Sequence, residues 1–241
     1  MNKLPILKIV LAGFAFAVTH WKKLIEITIV PLIIALPFLL ILPEIISEIL
    51  RIFELVSSGV ITFEQIFTGD SKTDVQIPEN FFYYFILFAF AYASISIHII
   101  RVVVLGEESV KSFMPTFDIA NIGRYLLLLV FISLTPILSV LITGIPILQM
   151  IVSFLIIPIT LSFVRISLDL PIKYKWSLNF PSQINLFFIQ IILPQIIGFI
   201  FIFLAGLTNL GELLYVAIMI ILFYWSQITL GFCYKIITQN D

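Results

Sequence analysis

Apolar positions run through this chain in long, nearly unbroken stretches, not in the alternating pattern of a half-buried strand. Six stretches suffice to carry a helix across about 30 Å of hydrocarbon, which takes roughly 20 residues. They are residues 25–43, 81–105, 125–143, 145–170, 184–206 and 213–234. Thr143-Gly144-Ile145-Pro146 separates the third from the fourth, and Leu207-Thr208-Asn209-Leu210-Gly211 the fifth from the sixth. Glycine and proline are turn punctuation there, so each pair predicts a tight helical hairpin.

Two further segments carry apolar residues without the length to cross. Residues 4–18 are bracketed or interrupted by Lys3, Lys8, His20, Lys22 and Lys23. Ala15-Phe16-Ala17 imitates a signal-peptide cleavage site. Pro5, Lys8 and the strong span that follows favour a retained interfacial helix within residues 1–24. In residues 44–80, Ile45, Ile46, Ile49, Leu50, Ile52, Phe53 and Val56 recur at helical spacing, with Glu44, Glu48, Arg51 and Glu54 between them. That pattern predicts an amphipathic helix on the outer surface. The hydrophilic run Gly69-Asp70-Ser71-Lys72-Thr73-Asp74 then reads as a loop.

Composition agrees with the pattern. Of 241 residues 61% are hydrophobic and 11% charged, with a mean hydropathy of +1.18. Soluble domains have about 45–50% apolar and about 25% charged residues. A disordered chain, a disulfide-stapled secreted module and a soluble enzyme are excluded. The expected fold is all-α: a polytopic membrane helix bundle with six transmembrane helices as three hairpins plus interfacial helices, and residues 1–241 forming a single integral membrane domain. A net charge of −1 lacks the basic footprint that nucleic acid needs. Cys233 is the only cysteine, so an intrachain disulfide or a cysteine-based zinc site is ruled out.

Placement of the charges matters more than their sum. With the N-terminus inside, Lys3, Lys8, Lys22, Lys23, Arg101, Lys111, Arg124, Arg165, Lys173, Lys175 and Lys235 all fall on the cytoplasmic side, eleven of the thirteen cations. Only Arg51 and Lys72 fall outside. Positive residues mark cytoplasmic loops. Six spans with both termini in the cytoplasm satisfy that bias, and an odd number of spans scrambles it.

A weak repeat accompanies the three hairpins. Asn121 and Pro136 have the same separation as Asn179 and Pro194, and the even spans end near Arg101, Arg165 and Lys235. The series Trp21-Lys22-Lys23-Leu24, then His98-x-x-Arg101 with Leu105-Gly106-Glu107, then Arg165-Ile166-Ser167-Leu168-Asp169-Leu170-Pro171 before a tryptophan, resembles six-helix bacterial inner-membrane proteins. These are related to the membrane domain fused to some glycerophosphodiester phosphodiesterases. The resemblance implies a six-helix bundle in the bacterial inner membrane. It does not import phosphodiester hydrolysis, which in those fusions belongs to a soluble barrel.

Charged groups at membrane depth cost roughly 2.5–3.5 kcal/mol each, so those present need a reason. His98 and Arg101 share a helical face, with Glu107 just beyond the span, and a network of Arg101 with a glutamate is expected. Arg165 and Asp169 stand at i, i+4, where helical side chains meet. These five residues are the candidates for a polar network or for binding a lipid headgroup. Prolines 31, 37, 136, 158 and 194 fall inside spans, each removing a backbone hydrogen bond. There is no glycine-rich phosphate loop, His-x-x-x-His pair or nucleophile elbow, and no cofactor or metal is expected. The leading functional class is a non-enzymatic membrane protein that binds or organises lipids or other membrane proteins. A small permease or permease subunit comes second, and a lipid-modifying membrane enzyme third.

Overall fold

The structure is a computed structural model that describes residues 4–60, 78–174, 176, 178–206 and 211–239. Every regular element among the described residues is helical. Helix α1 is Ile6–Thr19, α2 Trp21–Ser57, α3 Phe81–Leu105 and α4 Ile119–Thr143. Helix α5, Ile147–Ser167, is two α-helical pieces joined by a 3₁₀ turn at Ile157–Thr160. Helix α6 covers residues 180–206 with a π-helical turn at Phe188–Ile192, and α7 is Gly211–Gln239. Helices α2 to α7 are the six elements long and apolar enough to cross a membrane, so the chain is a multi-pass helical membrane protein.

Consecutive helices pair as the turn signals predict. Helix α4 packs on α5 and α6 on α7. Gly144 ends α4 in the left-handed region, at φ 70°, and its N–H closes on the Val140 carbonyl at 2.7 Å. That conformation costs glycine nothing, which is why the hairpin turns there. Residues 207–210 of the predicted 207–211 break and the predicted loop at 69–74 lie outside the described residues.

One expectation is corrected. Pro43 does not end the first span: α2 continues unbroken from Trp21 to Ser57, with Pro31, Pro37 and Pro43 inside it. A proline removes one hydrogen bond and crowds one carbonyl, while the bonds of the neighbouring turns still hold the helix. The predicted amphipathic helix is therefore the last turns of α2. Its exposed surface is mixed, with Ile46, Ile49, Leu50 and Phe53 outward beside the exposed Glu44, Arg51 and Glu54, while Glu48 is largely covered. Arg51 grips Glu48 with Nη2 at 2.6 Å and Nε at 2.8 Å, the two-point pairing that i, i+3 spacing permits.

The fold divides into two compact units, Pro31–Tyr92 and the remainder. In the first, Phe38 stacks on Phe88 with ring centres 4.8 Å apart and meets Phe85 at 5.8 Å, joining α2 to α3. The second holds the larger core, in which Leu24 and Ile27 of α2, Ile95, Ile99, Val102 and Val103 of α3, Val110 and Ile228 of α7 pack together. Gly231 brings α7 against α3, since a Cβ there would stand 2.7 Å from Val103 Cγ1.

Helix α1, about 21 Å long, is too short to cross. Phe14 meets Trp225 and Phe16 meets Phe232, with ring centres 4.4 and 5.8 Å apart. Phe14 and Phe16 point to opposite sides of α1, yet their partners lie two turns apart along α7. Helix α1 therefore runs crosswise over α7, crossing at Gly13, where a Cβ would come within 3.2 Å of Thr229 Cγ2. Both its ends are tied. The Leu4 N–H donates to Ser182 Oγ, Asn185 donates to the Leu4 carbonyl, and His20 meets Glu107.

Candidate functional site

Among the described residues, Lys23, Arg101 and Arg165 make polar contacts near the ends of α2, α3 and α5, and these contacts grow from helix termini. Helix α5 ends at Ser167, leaving carbonyls without intrahelical donors. Arg101, about one turn before the end of α3, supplies one: its Nε donates to the Ser167 carbonyl at 2.5 Å. Its Nη2 donates to Asp169 Oδ2 at 2.7 Å. A guanidinium at a helix C-terminus also meets the negative end of the helix dipole. Asp169 reaches that position because the chain turns back, with Asp169 itself at φ 59°, a region that Asp tolerates better than most residues.

The second oxygen of Asp169 accepts a hydrogen bond from Asn121 Nδ2. That amide also donates to Asp118 Oδ2 at 2.7 Å, while Asp118 Oδ1 caps the start of α4 by accepting from the Asn121 N–H at 3.1 Å. Arg101, Asp169, Asn121 and Asp118 thus form one chain of contacts linking α3, the end of α5 and the beginning of α4.

Beside it, the segment after α3 folds back onto α2. Lys23 Nζ donates to Ser112 Oγ at 2.9 Å, and Ser112 donates to Glu26 Oε2 at 2.5 Å. The Phe113 N–H reaches the Glu26 carbonyl at 3.2 Å, and the buried Thr116 N–H bonds Ser94 Oγ at 3.0 Å. His20 Nδ1 lies 2.5 Å from Glu107 Oε1.

Of the five residues selected from sequence, the structure joins only Arg101 to Asp169. The expected Arg165–Asp169 pair does not form, because the helix ends two residues before Asp169. Arg165 Nε donates instead to the Pro171 carbonyl at 2.7 Å. The expected Arg101–glutamate contact is replaced as well: Glu107 binds His20, which the break between α1 and α2 places there. His98 is buried in α3, and its Nδ1 has no hydrogen-bond partner among the described residues, nor has Ser96 Oγ.

Residues that sequence reasoning missed are Asp118 and Asn121, although the Asp-x-x-Asn spacing at a helix start is the signal of an N-cap. The equal spacing of Asn121–Pro136 and Asn179–Pro194 conceals unequal roles. Asn179 is itself the cap of α6, accepting from the Ser182 N–H at 2.9 Å, whereas Asn121 lies inside α4.

Deeper polar groups bind helix to helix. Gln190 in the π turn of α6 holds Thr229 at 3.0 Å and Ser226 at 3.1 Å on α7, and Tyr125 of α4 donates to Gln227 of α7 at 3.3 Å. Groups of three or more His, Cys, Asp or Glu side chains able to hold a metal ion do not occur among the described residues. Comparison of the chain with protein-family models, with curated proteins and with solved structures gives no match.

Proposed function

We propose that this chain is a non-enzymatic integral membrane protein that binds or organises lipids or other membrane proteins. It would lie in a bacterial inner membrane with both termini in the cytoplasm. The observation that carries the reading is how the selected ionisable groups are used. Arg101, Glu107, Arg165 and Asp169 are each engaged with another group of the same chain, at helix ends and turns, as parts that hold a scaffold. The scaffold also offers hydrocarbon outward: Leu7, Leu11 and Val18 on α1, and Ile46, Ile49, Leu50 and Phe53 at the far end of α2, are exposed beside a few charges. The charge distribution supports the orientation. The resemblance to six-helix inner-membrane proteins supports the location.

Purification at natural expression in native nanodiscs, followed by mass spectrometry of everything retained, tests this reading. A stoichiometric protein or a defined lipid is the expected companion. A second reading, a small permease or permease subunit, is favoured by the buried Ser96 and His98, whose Oγ and Nδ1 find no partner among the described residues. A chain that purifies alone and drives solute uptake in proteoliposomes, with uptake lost in His98→Ala, would replace the first reading by the second.

A further inference from the structure

Four residues of α4, Arg124, Leu127, Leu128 and Phe131, stand at i, i+3, i+4 and i+7 and so share one face. Across from them, Ile172 and Tyr174 in the segment after α5 complete a groove of about 310 Å³. Leu128 is buried at its floor, while Leu127 and Phe131 are exposed. The groove has two chemically different ends. Arg124 lies one turn beyond Asn121, near the start of α4, and Phe131 lies about 10 Å further along the helix toward the hydrocarbon.

The neighbouring cations are occupied. Arg101 holds Asp169, Arg165 holds the Pro171 carbonyl, and the Lys173 ammonium sits 4.6 Å over the Trp176 ring. Arg124 is exposed and has no ion pair or hydrogen bond among the described residues. A small anion would use only the Arg124 end, and a neutral lipid only the apolar remainder. An amphiphile with a negative headgroup matches both, and a guanidinium fork fits a phosphate by two parallel hydrogen bonds.

We propose that this groove binds an anionic phospholipid, with its phosphate on Arg124 and an acyl chain along Leu127, Leu128 and Phe131. The proposal rests on the lipid-binding form of the function above and deepens it by naming the site and the lipid class. Native mass spectrometry of the full chain in detergent, titrated with phosphatidylglycerol or with phosphatidylcholine, tests it. The wild-type protein should prefer phosphatidylglycerol. Arg124→Gln should lose that preference, with an affinity about fivefold lower, the size of effect of one interfacial cation. Leu127→Trp, which fills the groove from an exposed position, should weaken both lipids. Lys111→Gln, which removes an exposed cation outside the groove, should bind as wild type. Undiminished phosphatidylglycerol binding by Arg124→Gln, or an equal loss in Lys111→Gln, would overturn the site while leaving a lipid-binding protein. A wild-type protein indifferent to headgroup charge would also overturn it, and the co-purification experiment would still decide the broader reading.

Discussion

At the scale of single residues, Asp169 does more than its position suggests. One carboxylate, presented by a left-handed turn, accepts from Arg101 on α3 and from Asn121 on α4. Removing it strands two donors only partly, because Arg101 keeps the Ser167 carbonyl and Asn121 keeps Asp118. Asp169→Ala should therefore lower the unfolding free energy in detergent by about 1 kcal/mol, the usual net value of such a contact. Asp169→Asn, which tolerates the same backbone and keeps one acceptor, should lose less. Thermal unfolding of the two variants checks the order, and an alanine variant as stable as wild type would remove Asp169 from the account. The pair was hidden from sequence inspection because i, i+4 spacing assigned Asp169 to Arg165. That rule holds only while the helix lasts, and the helix stops at Ser167.

At the scale of elements, the proline of α5 is matched by a polar partner on α6. Pro158 cannot donate to the Phe154 carbonyl four residues earlier, and α5 tightens into its 3₁₀ turn there. The freed Phe154 carbonyl accepts from Gln183 Nε2 of α6 at 2.8 Å. Pro194 likewise cannot donate to the Gln190 carbonyl, and the π turn at Phe188–Ile192 lies at that point. Restoring an N–H by Pro158→Ala should make Gln183 less necessary. Gln183→Ala should thus cost about 1 kcal/mol less in the Pro158→Ala background than in the wild type. A double-mutant cycle on unfolding free energies measures this coupling, and strict additivity would contradict the pairing. Both residue types were visible in the sequence as prolines and amides at depth. Which amide serves which carbonyl depends on how α5 and α6 pack.

At the scale of the whole molecule, the length of α2 exceeds what one crossing needs. Helix α2 is about 55 Å long, and even a tilt of about 40° leaves it longer than about 30 Å of hydrocarbon. Its far end must stand outside the apolar layer. In a Cys233→Ala background, a cysteine at Glu54 should react with a membrane-impermeant maleimide, and one at Ile33 should not. Cysteines at Ser58, past the end of α2, and at Ser109, after α3, should label from opposite sides of the membrane. Labelling of both from one side would defeat the orientation read from the cations.

The sequence by itself determined that this is a multi-pass helical membrane protein, where five of its six spans run to within about six residues, and that α4 turns into α5 at Gly144. Those features follow from one-dimensional quantities: the length of apolar runs, and glycine and proline between them. Tertiary structure alone decided that α2 passes through Pro43, that α1 lies crosswise over α7 at Gly13, and that Asp169 serves Arg101 and Asn121. It also decided which cation is left open beside an apolar groove. A lone proline does not fix whether a helix bends or breaks, because the neighbouring turns and packing share that decision. Hydrogen-bond partners from distant segments are chosen by distance in space, and in this bundle Arg101 and Asp169 are separated by 68 residues of chain.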